Sequence, residues 1–209
     1  MQENPQPWQD RWSAGRTMWD MGGPHPLLAT GLAVAQQRRV LQAGASVYVP
    51  GCGRAHNAAQ MAREGYQVRA ADLVPQAIAA ARELHGNLHG LELVCEDALA
   101  VPEAEAGRYA MVFDRAMFCA LQPENRSAYL DACRRRLAPG GIFFGLLFTA
   151  VNKPDGPPFA LPVTEIAEAF HGDFSLVHMA EYNDPSADGV IGAELLCLFR
   201  KRTSSEHGL

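Results

Sequence analysis

A glycine-rich turn follows a short apolar segment near residue 50. Gly51 and Gly53 flank Cys52, the segment 47–49 before them has the pattern of a buried strand, and residues 55–64 after them have an alanine-rich helical pattern. Glycine at a strand–helix junction lets the backbone approach a ligand closely, and open α/β sheets bind nucleotides at such turns. The turn therefore predicts a nucleotide-binding site.

The turn differs from the two common phosphate-binding sequences. A dinucleotide fingerprint needs a third small residue for close helix–strand packing, and His56 stands at that position. No Gly-Lys-Ser/Thr sequence follows, so the turn is not a P-loop. A nicotinamide-dependent oxidoreductase, the first alternative that such a turn raises, is therefore disfavoured.

Acidic residues follow the next two strand-like segments. Asp72 lies 19 residues after Gly53, and a carboxylate there can accept hydrogen bonds from both hydroxyls of a ribose. Asp97 can accept a hydrogen bond from an adenine amino group, while the backbone N–H of Ala98 donates to a ring nitrogen. Each acid has a simpler alternative, because Asp72 could start the next helix and Asp97 could cap the next turn. Together with the glycine turn, they predict an adenosine site.

The elements that would position these residues alternate between strand-like and helix-like patterns. Strands are predicted at 46–49, 67–71, 91–95, 109–114, 141–149, 174–182 and 190–199, and helices at about 26–42, 55–64, 75–85, 123–137 and 162–170. The alternation predicts an α/β fold with a seven-stranded, mostly parallel sheet and helices on both faces. Only the turn-rich stretch NDPSADG separates the last two strands, which predicts a C-terminal antiparallel hairpin. A sheet closed in this way is the Rossmann-like fold of class I S-adenosylmethionine methyltransferases, although dehydrogenases and other doubly wound enzymes share its first strand–helix units.

The composition favours a soluble chain. It has 209 residues, 48% of them hydrophobic, and a net charge of −5, so we expect one domain over 1–203 with a flexible tail at 204–209. The acidic balance disfavours nucleic acid and anionic membranes as partners, and the basic clusters 134–136 and 200–202 are expected to be solvated. Five scattered cysteines predict neither a disulfide framework nor a metal site. No signal peptide or membrane span is visible, so we expect a cytoplasmic monomer.

Several stretches resemble the thiopurine methyltransferase superfamily, which includes thiopurine, thiol and halide methyltransferases. The resemblance runs from about Trp8 to Phe199 and is carried by VYVPGCGRAHN, AADLVPQAI, FDRAMFCALQPENRSAYLDACRRRLAPGGIFFGLLF and DGPPFALPVTEI. Its most specific part is the stretch WQDRWSAGRTMWDMGGPHPLL. The resemblance implies S-adenosylmethionine as the cofactor, no metal, and a small-molecule methyl acceptor.

The resemblance also implies roles for particular residues. Residues 1–25 would form an aromatic lid, in which Trp8, Trp12 and Trp19 pack over the cofactor and attract its sulfonium through cation–π contacts of about 0.5–2 kcal/mol. A simpler alternative is that these rings only pin the N-terminus to the core. The other implied cofactor-binding residues are Gly51, Asp72, Leu73, Asp97, Ala98 and Arg115.

The chemistry at the acceptor end depends on the nucleophile. A thiol must become a thiolate, and its pKa of about 8.5 falls beside a cation, so Arg115 is the candidate stabiliser. A general base, if the reaction uses one, would be Asp20 or His25 of the lid. Asp20 could instead cap a turn, and His25 could be an ordinary loop histidine. Cys119 is expected to be buried, because direct displacement needs no covalent intermediate.

The loop NKPDGPPFAL, at residues 152–161, is predicted to form a wall of the substrate pocket, because its three prolines make it stiff. Phe159, Phe118 and Met117 would give this pocket an apolar rim, or else belong to the core. An apolar rim suits a soft nucleophile, so methyl transfer to a thiol is the favoured function. The alternatives are a halide, selenium or tellurium methyltransferase, an O-methyltransferase of small phenols, and a cofactor-binding module without activity.

Overall fold

The structure, a computed structural model, describes residues 6–152, 156–182, 191–203 and 205. The strands in chain order are β1 (Ser46–Pro50), β2 (Gln67–Asp72), β3 (Leu91–Cys95), β4 (Tyr109–Arg115), β5 (Leu137–Val151), β6 (Phe174–Tyr182) and β7 (Ile191–Lys201). The α-helices are α1 (Gln6–Ser13), α2 (Leu27–Gln37), α3 (His56–Arg63), α4 (Pro75–His85), α5 (Arg126–Arg136) and α6 (Val163–Phe170).

All seven strands belong to one sheet in the order β3-β2-β1-β4-β5-β7-β6. β1 to β5 pair in parallel with one another, whereas β7 pairs antiparallel with both β5 and β6. The α/β fold with a mostly parallel sheet and an antiparallel C-terminal pair is therefore confirmed. β5 begins at Leu137, earlier than the predicted start at residue 141, and α2 ends at Gln37 rather than near residue 42.

Three predicted features fall wholly or partly on residues that the structure does not describe. The link between β6 and β7 at 183–190 lies outside the described residues, as do positions 153–155 of the proline-rich loop. Of the predicted tail at 204–209, Ser205 alone is described.

The sheet is covered on both faces, which explains why its central strands are almost continuously apolar. In β1, Val47 and Val49 pack on one face with a cluster that includes Leu32 of α2 and Ala58 of α3. Tyr48 points to the other face and packs with residues contributed by α5 and α6. Burying each large apolar side chain stabilises the fold by about 1.5–3 kcal/mol. The two layers therefore hold the carboxyl ends of the parallel strands in fixed positions.

The expected solvation of the basic cluster 134–136 is wrong for Arg136. This residue is fully buried, and its guanidinium lies 4.2 Å from the ring centroid of Tyr48. It donates hydrogen bonds to the carbonyl oxygens of Ala98 at 2.6 Å and Ala100 at 2.5 Å. A residue at the last position of a helix that packs on the sheet can turn inward, and here it supports the loop that follows β3.

None of the helices among the described residues is long and apolar enough to span a lipid bilayer.

Candidate functional site

A cavity of about 370 Å³ lies between the carboxyl ends of the parallel strands and residues 6–25, which we call the lid. The strand order reverses at this edge, because β2 and β4 flank β1 and the chain proceeds outward from each. The predicted site residues that line the cavity are Trp8, Trp12, Trp19, Asp20, Gly51, Asp72, Leu73, Asp97, Ala98 and Arg115. His25, the remaining predicted site residue, lies outside the lining.

The glycine turn is shaped by backbone conformations that favour glycine. Gly51 has a φ of +57° and Gly53 a φ of +55°, and residues with a side chain rarely adopt this left-handed backbone conformation. A Cβ on Gly51 would lie 2.8 Å from the Sδ atom of Met117, and one on Gly53 would lie 3.9 Å from Nε1 of Trp19. Both glycines therefore let the turn approach the cavity and the lid closely.

Asp72 holds the glycine turn and the start of α4 together. One carboxylate oxygen accepts the backbone N–H of Gly53 at 2.9 Å, and the other accepts that of Val74 at 2.9 Å. Burial raises the pKa of the Asp72 carboxyl, although hydrogen bonds from Val74 and Gly53 oppose the shift. Each carboxylate oxygen has a second lone pair, so these backbone bonds leave capacity for further donors.

Asp97 and Ala98 form a loop that is fixed from two sides. The carboxylate of Asp97 accepts a hydrogen bond from the backbone N–H of Leu99 at 2.9 Å, so Asp97 caps this turn, as the simpler alternative predicts. Arg136 supports the same loop from behind through the carbonyl of Ala98. Glu96, which also lines the cavity, accepts hydrogen bonds from Tyr48 and Arg69, so its carboxylate is already engaged.

The three tryptophans of the chain lie together in the lid. The ring centroids of Trp8 and Trp19 are 5.6 Å apart, and those of Trp12 and Trp19 are 6.3 Å apart, both in edge-to-face geometry. Trp8 and Trp12 lie four residues apart in α1 and share a helix face, as their spacing predicts. α1 has no buried residue, so the helix depends on these rings for its packing.

Arg54, in the glycine turn, anchors the lid. Its guanidinium donates to Thr17 at 3.1 Å and to Asp20 at 2.5 Å, and it lies 4.9 Å from the ring centroid of Trp12. The other carboxylate oxygen of Asp20 accepts the backbone N–H of Gly22 at 3.0 Å. Both oxygens of Asp20 therefore serve the lid, as in the turn-capping alternative, and this geometry argues against a general base at this position.

Arg115 joins the lid to the sheet at the end of β4. Its guanidinium donates to the backbone carbonyl of Trp19 at 2.9 Å and lies 5.5 Å from the ring centroid of Phe148. The preceding residue, Asp114, is fully buried and accepts hydrogen bonds from Tyr129 at 2.5 Å and from the backbone N–H of Phe118. Burial raises the pKa of Asp114 to about 6. Asp114 thus fixes the turn that presents Arg115 to the cavity.

His25 is fully engaged away from the cavity. Its Nδ1 accepts the backbone N–H of Leu27 at 3.1 Å, and its Nε2 lies 2.6 Å from a carboxylate oxygen of Glu194. A ring nitrogen that accepts a hydrogen bond carries no proton. The ring proton is therefore on Nε2, which donates a hydrogen bond to Glu194. Because both ring nitrogens are occupied and the ring does not line the cavity, the structure argues against the prediction that His25 is a general base.

Part of the cavity lining is apolar, but the predicted rim is only partly correct. Met117 lines the cavity, whereas Phe118 is buried in the core against Tyr129, and Phe159 lies outside the lining with its ring facing Arg126. The proline-rich loop contributes to the lining, as predicted. The apolar lining includes Met117, Cys119, Leu121, Phe148, Pro157 and Pro158.

Cys119 is buried, as predicted, although it borders the cavity. Burial raises the pKa of its thiol well above the usual value. A thiol with a raised pKa is a poor nucleophile, so the reading of Cys119 as a packing residue stands.

Three residues that hold the site were not predicted from the sequence: Glu194, Arg136 and Arg54. Glu194 carried a usable signal, because it is an acid inside the apolar strand segment AELLCLF. Arg136 had no such signal, since Arg134 and Arg135 precede it and the three look alike in the sequence. Among the described residues, no cluster of three or more His, Cys, Asp or Glu side chains could hold a metal ion.

Comparisons with known proteins agree with the fold and with the family that the sequence resembles. A protein-family model described as thiopurine S-methyltransferase matches residues 3–190. A probable thiol methyltransferase 2 of Arabidopsis thaliana is 29% identical over 161 residues, which cover 76% of this chain and 68% of that protein. Thiocyanate methyltransferase 1 of the same plant is 29% identical over 164 residues, covering 77% and 69%. A thiopurine S-methyltransferase of Xanthomonas campestris is 28% identical over 179 residues, covering 78% and 80%.

Solved structures with the same fold include a protein from work on the conversion of a disulfide bond into a thioacetal group during echinomycin biosynthesis. It superposes with a TM-score of 0.76 at 20% identity and covers 96% of this chain and 94% of its own. A 1,6-didemethyltoxoflavin-N1-methyltransferase of Burkholderia thailandensis, solved with S-adenosylhomocysteine, gives a TM-score of 0.72 at 22% identity, covering 95% and 87%. At these identities the likeness shows the fold.

Proposed function

The chain belongs to the thiopurine S-methyltransferase family of S-adenosylmethionine-dependent methyltransferases, and we propose that it methylates the sulfur of a small thiol. The observation that carries the proposal is the composition of the cavity. We take the glycine and acidic residues from three strand ends as the cofactor end of the cavity, and the apolar side chains around the cation Arg115 as the acceptor end.

The first end fits S-adenosylmethionine. The glycine turn leaves room for close backbone approach, and Asp72 keeps lone pairs free beyond its two backbone bonds. We assign Asp72 to the ribose hydroxyls and Asp97 with the Ala98 backbone N–H to the adenine edge, while Leu73 borders the same space. When bound, S-adenosylmethionine supplies an electrophilic sulfonium methyl group, whose transfer to a thiolate yields a thioether and S-adenosylhomocysteine.

The tryptophans of the lid support the binding of a cation. Trp8, Trp12 and Trp19 all line the cavity, and the rings of Trp8 and Trp12 already hold cations, the guanidinium groups of Arg11 at 4.8 Å and Arg54 at 4.9 Å. Ring faces attract a desolvated cation by about 0.5–2 kcal/mol. We therefore assign the three rings to the sulfonium side of the cofactor and to the exclusion of water from the reaction.

The other end favours a soft acceptor. Thioether, thiol and aromatic groups from Met117, Cys119 and Phe148 surround it, so a strongly hydrated nucleophile would lose its hydration there. Arg115 is the residue that we assign to the reacting atoms, because its guanidinium stabilises a thiolate while the thiol proton passes to solvent. Asp20 and His25 have both of their polar side-chain atoms engaged by protein groups, so we assign them to the lid and not to proton transfer.

A second candidate function is methylation of a small soft anion such as thiocyanate, iodide or a selenium or tellurium anion. The cation Arg115 beside an apolar wall favours it, and a similar plant protein is named a thiocyanate methyltransferase. Such an anion needs no deprotonation, so the two candidates differ in their dependence on the pKa of the acceptor.

Mass-detected methylation of an acceptor panel tests the proposal. The panel contains hydrosulfide, small aliphatic and aromatic thiols, 6-mercaptopurine, thiocyanate, iodide, selenite and catechol. We expect a thiol to give the highest kcat/KM, with a rate that rises with pH until the acceptor is ionised. Higher kcat/KM for thiocyanate or iodide establishes the second candidate, faster turnover of catechol overturns both, and no turnover of any acceptor favours a binding module.

The ribose assignment is tested by Asp72→Ala. Removal of the carboxylate should weaken S-adenosylhomocysteine binding by about 1–3 kcal/mol, because the hydroxyls lose charge-assisted hydrogen bonds. Isothermal titration calorimetry measures the change. Asp131→Ala, which removes an exposed acid on α5, is the control and should bind like the wild type. Wild-type affinity in Asp72→Ala would contradict the assignment.

A further inference from the structure

Glu194 is a buried acid on β7, in a stretch from 191 to 199 that is otherwise apolar. It lies on β7 opposite Phe148 of β5 and Tyr182 of β6, and the four residues after it, 195–198, are all buried and apolar or cysteine. Only 5% of its surface is exposed. Burying a carboxylate is costly unless charged or hydrogen-bonding partners compensate it, so the partners of Glu194 show what it does.

One partner, His25, fixes the carboxylate on the lid side. His25 donates from Nε2 to one oxygen of Glu194 at 2.6 Å, and its backbone N–H donates to Asn57 of α3 at 2.7 Å. The hydrogen bond that Leu27 gives to Nδ1 locks the ring tautomer. This neutral ring orients Glu194 but does not compensate its charge.

The charge is compensated by Arg115. The second oxygen of Glu194 lies 3.6 Å from Nη2 of Arg115, and both side chains are at least nine-tenths buried. This oxygen and Nε of Arg115 have no hydrogen-bond partner among the described residues, so no other group there competes for the contact between the two side chains. The same guanidinium donates from Nη1 to the backbone carbonyl of Trp19. The guanidinium of Arg115 therefore contacts Glu194 through Nη2 and the lid through Nη1.

We infer that Glu194 is a positioning residue for methyl transfer: it orients Arg115 and, through Arg115, holds the lid over the cavity. Glu194 itself does not line the cavity, so it acts through its neighbours and touches neither cofactor nor acceptor. The chain of contacts joins β7, β4 and the lid, and His25 closes it by tying the end of the lid back to Glu194. The inference rests on the proposed function only for its effect on turnover.

The lid has a built-in reporter, because all three tryptophans of the chain lie in it. Acrylamide quenching of tryptophan emission therefore measures lid opening without any ligand. In Glu194→Gln, the amide oxygen still accepts from His25, but the charge that orients Arg115 is gone. We expect the quenching constant to rise about twofold or more, and kcat/KM to fall about 10- to 100-fold, in line with the loss of a charge-assisted contact. Glu181→Gln is the matched control on exposed β6 surface and should leave both quantities unchanged.

A double-mutant cycle separates positioning from a merely structural role. If Glu194 acts through Arg115, the double variant Glu194→Gln/Arg115→Gln should match Arg115→Gln alone in quenching and in kcat/KM. Multiplied effects in the double variant would overturn the inference, as would unchanged quenching in Glu194→Gln.

Should Glu194→Gln fail to fold, Arg115→Lys carries the test, because it keeps the charge beside Glu194 but lacks the two-sided guanidinium. We expect increased quenching in Arg115→Lys, and wild-type quenching there would also overturn the inference. Failure of the proposed function shows separately: a wild-type protein that binds no S-adenosylhomocysteine contradicts the function and leaves the ligand-free quenching result valid.

Discussion

Gly51 is constrained by its own backbone and by a neighbouring side chain. Alanine at φ +57° is strained, and its Cβ would displace the sulfur of Met117, which lines the cavity. Gly51→Ala should lower the free energy of unfolding by about 1–2 kcal/mol through backbone strain. It should also weaken S-adenosylhomocysteine binding by about 1–3 kcal/mol through overpacking. Urea denaturation and calorimetry measure the two effects.

Gly107→Ala separates these two effects. Gly107 has a φ of +66°, and a Cβ there would meet nothing within 4 Å. The Gly107→Ala variant should lose a similar amount of unfolding free energy and bind S-adenosylhomocysteine like the wild type. Equal binding in both variants would show that the contact with Met117 does not shape the cofactor site.

Asp114 should make the stability of the protein depend on pH. Burial raises its pKa to about 6, above that of the unfolded chain, so the folded state holds the proton more tightly. Its stabilising contribution is present below about pH 4 and is lost as the pH rises through 6. Relative to Asp114→Asn, which does not titrate, the wild type should lose about 2 kcal/mol of unfolding free energy between pH 4.5 and 7.5. A constant difference between the two proteins across that range would contradict this assignment.

At this scale, sequence predicted the residues whose meaning is local. The turn with Gly51 and Gly53 and the acid at Asp72 stand at fixed distances along the chain, so spacing indicates their shared position. Glu194 and Arg115 meet only because β7 inserts beside β5, which no local pattern encodes. For Phe118 the sequence left the pocket rim and the core as alternatives, because a pattern next to a turn does not say which face a ring takes, and the ring lies in the core.

At the scale of elements, α5 supports the loop after β3 by means of its last residue. Arg136 contacts two carbonyls of that loop, so one side chain links a helix to the proposed adenine site. In Arg136→Lys, a single ammonium replaces the guanidinium fork. We expect a loss of about 1–3 kcal/mol of unfolding free energy, because a buried carbonyl loses its donor.

The neighbouring Arg135→Lys is the matched control, since Arg135 is exposed on the same turn. It should change stability by less than about 0.5 kcal/mol. In Arg136→Lys, S-adenosylhomocysteine binding should weaken as well, because the loop with Asp97 and Ala98 loses its support. Similar values for both lysine variants in urea denaturation would contradict the proposed support.

Helices and strands were predicted more reliably than their ends. Every predicted strand exists, because each is an apolar run that the sheet buries on one face or both. The early start of β5 at Leu137 was missed because the segment Ala138-Pro-Gly-Gly reads as a turn. The lid helix α1 was not among the predicted helices, because it buries no residue and so shows no apolar periodicity.

At the scale of the whole molecule, the cavity is lined by the lid, by residues at the ends of β1 to β4 and by Phe148 of β5, so a bound ligand should stabilise the entire fold. At a free concentration of 100 times its Kd, S-adenosylhomocysteine should add about 2.7 kcal/mol. For a chain of this size the midpoint of thermal unfolding should rise by about 5–10 °C. Differential scanning fluorimetry measures the shift.

NADH is the control ligand for this experiment. His56 occupies the place of the third small residue that a dinucleotide turn requires, and its ring packs 5.4 Å from that of His85. NADH at the same concentration should therefore leave the midpoint unchanged. An equal rise of the midpoint with NADH would show that the glycine turn binds a dinucleotide and would contradict this prediction.

The position of β7 between β5 and β6 has a consequence for biosynthesis. During translation, β5 and β6 leave the ribosome before the strand that must fit between them, so the long apolar edge of β5 waits unpaired. Insertion of β7 closes that edge and in the same step delivers Glu194 to Arg115 and His25. A ribosome-stalled chain that ends before β7 would therefore be a target for chaperones. It would also lack the contacts of Glu194 with Arg115 and His25, so catalytic competence and protection from aggregation are gained in the same step.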